Sequence, residues 1–169
     1  EPNLLVSASA LPPTPDPDGV AVDFSKVTLA VNPLLAGVKS LNRMEQVLAA
    51  AELKPSLFEV IMADREGSLV EGTRTNILLR HADGWVTPPA SSLAVAGVLR
   101  QWLLERLRQR GEPVTERPVT VPDVLGPDCQ GMFLLNSVLG IVPVLTIAGH
   151  HLPVDSGLAT IFNPLETLE

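Results

Sequence analysis

The chain has 169 residues, 46% of them hydrophobic, which is enough for one domain with a sizeable core. Nineteen acidic residues against 12 basic ones leave a net charge of −7, which argues against nucleic acid or an anionic membrane surface as a partner, since both are held by clustered Lys and Arg. No apolar run approaches membrane-spanning length, and a lone cysteine, Cys129, excludes a disulfide framework or a Cys-rich metal site.

The chain opens on Glu1-Pro2-Asn3 rather than Met, and Leu4 to Ala10 reads as a strand already under way, so we expect the carboxy-terminal part of a longer polypeptide. Residues 11–20 hold Pro12, Pro13, Pro15, Pro17 and Gly19, a loop composition that continues neither strand nor helix. A second strand is expected over 26–31. From Leu41 to Leu53 the apolar positions Leu41, Met44, Val47, Leu48 and Ala51 recur at three- and four-residue steps, predicting a helix buried on that side and closed by Pro55.

Strands are expected over 57–63 and 75–80, with Glu66-Gly67 and Asp83-Gly84 as turn signals. A second helix should run from Val98 to Arg110, with Gly111 just past its end. Its Arg100, Arg106, Arg108 and Arg110 read as a solvated face. Residues 113–121, 131–136 and 141–147 are again extended. The pattern is α/β (α+β), a single domain over 1–169, with strands apolar enough to be buried on both faces.

Chemistry concentrates in four segments. Lys39 stands in Gly37-Val38-Lys39-Ser40-Leu41-Asn42-Arg43-Met44-Glu45-Gln46, at a corner where a rigid backbone can point an amine into a cleft. Leu69-Val70-Glu71-Gly72-Thr73-Arg74-Thr75-Asn76-Ile77 follows, then Ala96-Gly97-Val98-Leu99-Arg100 at a helix start, and last Leu135-Asn136-Ser137-Val138-Leu139-Gly140. Alternation along the second segment should aim Glu71 and Thr75 to one face and Asn76 to the other, unless Gly72 breaks the parity. The three histidines show no metal-ligand spacing, and no metal is implied.

In that order these segments resemble the pyridoxal-phosphate enzymes that share the fold of branched-chain aminotransferases, D-amino acid aminotransferases and aminodeoxychorismate lyases. The word Lys39-Ser-Leu-Asn-Arg-Met-Glu-Gln-Val-Leu48 looks like the lyase version. The resemblance spans residues 3 to 148 and implies the large cofactor-binding domain, with the family's small amino-terminal domain missing. It implies that Lys39 forms the Schiff base with pyridoxal 5'-phosphate and moves protons, that Glu71 faces the pyridine nitrogen, and that the backbone amides of Val98 and Leu99 with the Ser137 hydroxyl receive the phosphate. Asn136 would hold substrate, and Arg43 and Glu45 would touch substrate or pair with each other.

The implied reaction is conversion of 4-amino-4-deoxychorismate to 4-aminobenzoate and pyruvate, a step in folate synthesis, by a cytoplasmic homodimer. Two alternatives stay open: an aminotransferase of branched-chain or D-amino acids, and a non-catalytic fragment or binding module.

Overall fold

The computed structural model describes residues 3–30, 32–92 and 94–159. Nine strands form one mixed sheet: β1 (Val20–Phe24), β2 (Glu59–Ala63), β3 (Leu69–Gly72), β4 (Asn76–His81), β5 (Gly84–Thr87), β6 (Val114–Glu116), β7 (Cys129–Asn136), β8 (Gly140–Ile147) and β9 (His150–His151). Among the described residues four α-helices accompany them: α1 (Met44–Ala50), α2 (Val98–Gln109), α3 (Val121–Leu125) and α4 (Ser156–Ala159).

The strand order β3-β2-β1-β8-β7-β4 closes on itself, because β3 also pairs β4. Six strands therefore make a ring, extended from β4 by β5 and β6. Strand alternation fills its inside: Val22, Ile61, Ile77, Leu79, Met132, Leu134, Val142 and Val144 form one buried cluster, which Val124 of α3 joins. Leu78, Phe133, Leu135 and Ile141 face outward and receive Leu99, Leu103, Leu104 and Leu107 of α2. Val60, Met62 and Val70 form a third cluster with Ala49 of α1.

Several expectations are corrected here. Residues 4–10 form no strand: Leu4, Leu5 and Val6 are 82 to 91% exposed, and the first strand is instead Val20–Phe24, held in parallel between β2 and β8. The 26–31 run pairs into no strand; Leu29 bonds Ala63 by its N–H (2.9 Å), and residue 31 lies outside the described residues. Helix α1 is shorter than expected and turned the other way. Leu41, Met44, Val47 and Leu48 are exposed, while Gln46 and Ala49 are buried, because the small Ala49 lets the helix approach the sheet.

The run 113–121 divides into β6 and the start of α3, with Pro122 in the first turn of α3 and Thr120 and Asp123 forming its capping box. Helix α2 begins at Val98 as expected and ends at Gln109, one residue before the expected Arg110, which is its C-cap; Gly111 follows at φ 77°. Arg100, however, is not on a solvated face: it is 4% exposed and donates to Glu116 at 2.7 Å.

Candidate functional site

A cleft of about 320 Å³ opens where the ring closes. The Lys39 loop, the β3–β4 turn, the loop before α2 and the β7–β8 turn all line it. Lys39, Glu71, Val98, Asn136 and Ser137 are thereby brought together from four distant parts of the sequence. A neighbouring cavity of about 210 Å³ lies on the α1 side, and Arg43 lines both.

Glu71 owes its place to a register shift between Met62 and Ala63, which sets it on the α1 side of the sheet, opposite Met62 and Asn76. It is 2% exposed. Burial pushes its pKa from an ordinary 4.5 up to about 7, against the pull of the Val95 N–H (3.0 Å to Oε2), the Arg43 guanidinium at 3.9 Å, the Gln46 side chain and the Ala94 backbone. A carboxyl so placed is an acceptor waiting for a proton or a proton-bearing partner.

Asn76 does what the sequence left open. Its Nδ2 donates to the Val95 carbonyl (2.8 Å), and its Oδ1 accepts from the Gly97 N–H (3.1 Å). Gly97 is the N-cap residue of α2, and a Cβ there would run into Asn76 Oδ1, so a larger residue must displace that amide. The Ala96 N–H in turn bonds the Gly37 carbonyl at 3.1 Å, and Gly37, at φ 80°, makes the turn that delivers Lys39. Lys39 is exposed to the cleft, and among the described residues no hydrogen bond or ion pair engages its amine.

At the other wall, Val98 begins α2 and is 77% exposed, whereas Leu99 points into the core and is 3% exposed. Val98 lines the cleft and Leu99 does not. The first-turn N–H groups of Val98, Leu99 and Arg100 have no acceptor within the helix, and the helix dipole adds partial positive charge there. Ser137 sits in the exposed β7–β8 turn rather than in a strand.

Asn136 is largely spent on scaffolding. Its Nδ2 donates to the Arg74 carbonyl (2.7 Å), and its Oδ1 accepts from the N–H groups of Val138 (2.8 Å) and Leu139 (3.3 Å). Arg43 pairs with Glu71, not with Glu45, and donates to the Thr73 carbonyl at 3.0 Å. The parity expected for the second segment is reversed: Glu71 and Asn76 are direct cross-strand partners, because residues 73–75 form a turn and not a strand.

Glu59 was missed altogether. Fully buried on β2, it accepts from Thr73 Oγ1 (2.7 Å), Arg74 N–H (3.2 Å) and Thr75 Oγ1 (3.2 Å), and so fixes the turn that forms one cleft wall. Its signal was a lone carboxylate inside an apolar strand, which must find donors.

Residues 1–147 match the family model described as amino-transferase class IV. The aminodeoxychorismate lyase of Vibrio harveyi is 32% identical over 149 residues, which are 88% of this chain and 54% of that protein. A putative branched-chain-amino-acid aminotransferase of Methanocaldococcus jannaschii is 31% identical over 151 residues, 88% of this chain and 52% of that one. Among solved structures, 4-amino-4-deoxychorismate lyase from Pseudomonas aeruginosa superposes with a TM-score of 0.84 at 37% identity, over 96% of this chain and 60% of that one. The chain thus spans about half the length of the curated relatives it matches.

Proposed function

Since the chain belongs to the class IV aminotransferase family, whose members depend on pyridoxal phosphate, we propose that it is the cofactor-binding part of a lyase that converts 4-amino-4-deoxychorismate to 4-aminobenzoate and pyruvate. The observation that carries this is the pairing, in one cleft, of an unengaged lysine with a buried carboxyl raised to about 7. The lyase reading is supported over its neighbours by the Lys39 word and by the 37% identity to the Pseudomonas aeruginosa enzyme.

The donor set fits the cofactor. Glu71 has only a long ion pair to Arg43 (3.9 Å), and a protonated ring nitrogen would give it a closer partner; the first turn of α2 and the Ser137 hydroxyl suit a phosphate. When bound, pyridoxal phosphate supplies an aldehyde that condenses with amines and a ring that withdraws electrons from the adjoining carbon. Glu71 would hold a proton at that ring nitrogen. Lys39, its amine free in the cleft, would take the proton from the amine-bearing ring carbon of the substrate. The bond from the ring carbon to the enolpyruvyl oxygen would then break, its electrons leaving with the oxygen, and the proton held by Lys39 would pass to the enol methylene carbon to give pyruvate. Formation of the aromatic ring drives the elimination, and no keto acid is required.

Association as a homodimer, and completion of the site by an additional amino-terminal domain, belong to the same proposal. The 169 residues alone should turn over weakly or not at all, while the intact polypeptide should be fully active.

The test is borohydride reduction of the chain with pyridoxal phosphate, followed by peptide mass analysis. Label confined to the Lys39 peptide is expected; label spread over Lys26 and Lys54, the other two lysines, would overturn the assignment. The 31% identity to an aminotransferase favours a second reading, an aminotransferase of branched-chain or D-amino acids. Release of 4-aminobenzoate by the intact polypeptide without any keto acid separates the two.

A further inference from the structure

Helix α1 buries a polar side chain. Gln46 is 5% exposed, and its Oε1 is sealed from solvent with no hydrogen-bond partner among the described residues. Arg43, three residues earlier at the start of the same helix, stands 3.9 Å from the Glu71 carboxyl, and the Gln46 side chain is within reach of that carboxyl too. A buried orphan acceptor needs a donor, and a protonated Glu71 would be one.

We propose that Gln46 is a positioning residue for Glu71: its amide donates to the ionised carboxylate and, by exchanging its two ends, accepts the hydrogen bond of the protonated acid. The exchange is sterically neutral, because the amide oxygen and nitrogen are nearly the same size. In the exchanged orientation Oε1, which has no partner as it stands, gains the acid's O–H. The proton itself comes from water and returns to it. Glu71 is thereby held in one orientation whether or not it carries a proton, and the value of this to catalysis rests on the role proposed above for Glu71.

The charged groups around Glu71 do not supply the same service. Arg43, from the start of α1, stands 3.9 Å away and can only donate. Lys39 and Arg74 line the cleft and are likewise donors, as are the N–H groups of Ala94 and Val95. From β2 the opposing residue is Met62, and from β4 Asn76, whose amide is already engaged at both ends. Glu45 lines the adjoining cavity, not the cleft. Gln46 is the acceptor left for the proton.

The experiment needs no cofactor. In the ligand-free chain, the side-chain carbonyl ¹³C resonance of Gln46 should titrate with the same midpoint as the Glu71 carboxyl ¹³C, and should stop titrating in Glu71→Gln. By infrared spectroscopy, the band of the protonated acid, identified by its loss in Glu71→Gln, should move to higher wavenumber in Gln46→Met, which keeps length but removes the acceptor. A Gln46 carbonyl that stays flat through the Glu71 midpoint overturns the proposal, as does an acid band unmoved by Gln46→Met. Should Gln46→Met fail to fold, the resonance measurement on the unmutated chain decides alone. Failure of the cofactor reading would appear elsewhere, as absent Lys39 labelling with the Gln46 titration intact.

Discussion

Glu71 and Asn76 are the one Cα pair at which β3 meets β4, so the residue pair that closes the six-stranded ring also reaches the loop before α2. Glu71 accepts from the Val95 N–H, and Asn76 clasps the Val95 carbonyl and the Gly97 N–H. Ring closure and the placement of the helix start are thus one structural event. Replacing Asn76 by Ala removes two buried bonds and should cost about 1–3 kcal/mol. Gly97→Ala, which drives a Cβ into the same amide, should cost about 1–3 kcal/mol by overpacking. Urea denaturation measures both. Because the two variants act on one contact, their combination should cost clearly less than the sum.

The ring itself was only partly legible in the sequence. Strands β2, β4, β7 and β8 announced themselves as apolar runs, and α2 by its period and its Gly111 end. The closure was not legible, because a single cross-strand pair leaves no pattern in composition. Four short words did point to the cleft, since each carries residues whose chemistry is specific. Asn76, Glu59 and Gln46 stayed hidden for a shared reason: each acts through partners 14 to 25 positions away or more, and a lone polar residue does not reveal them. The bonds of Asn136 to the Arg74 carbonyl and the Val138 N–H were not legible either, because an amide beside a cleft and an amide closing a turn look alike in sequence.

The inversion of α1 has a direct consequence. Its apolar stripe was expected to be the buried side, yet Leu41 is fully exposed, with Met44 at 68% and Val47 at 62%. Changing Leu41 or Val47 to Ser should leave the unfolding free energy of this chain within about 0.5 kcal/mol, as for other surface positions. Ala49→Leu, on the buried side, should cost about 1–3 kcal/mol by forcing the helix off β2. Equal effects at the two faces in thermal unfolding would refute the orientation of the helix.

Lys39 is expected to separate chemistry from folding. Its side chain is exposed and engaged by no other group among the described residues, so Lys39→Ala should change stability by less than about 0.5 kcal/mol. The same variant should lose all borohydride-fixed cofactor while Lys26→Ala and Lys54→Ala keep it. A Lys39→Ala protein that still fixes the label at wild-type stoichiometry would move the Schiff base to another amine.

The raised pKa of Glu71 fixes how stability depends on pH. The folded state holds this proton up to about 7, while an unfolded glutamate releases it near 4.5. Stability from this group is therefore complete below 4.5 and declines as pH rises through 7, by roughly 3 kcal/mol at about 1.4 kcal/mol per unit. Asp123 works in the opposite sense and in another window. Its hydrogen bond to Arg117 holds its pKa well below the ordinary 3.8, so its contribution is present above 3.8 and disappears only in stronger acid. Between pH 4.5 and 7 the Glu71 slope should accordingly stand clear of the Asp123 one. Glu71→Gln, which cannot ionise, should flatten the wild-type decline over that interval, and the denaturation midpoint measured at half-unit steps of pH reads it directly. An unchanged slope in the variant would mean that some other group binds the proton.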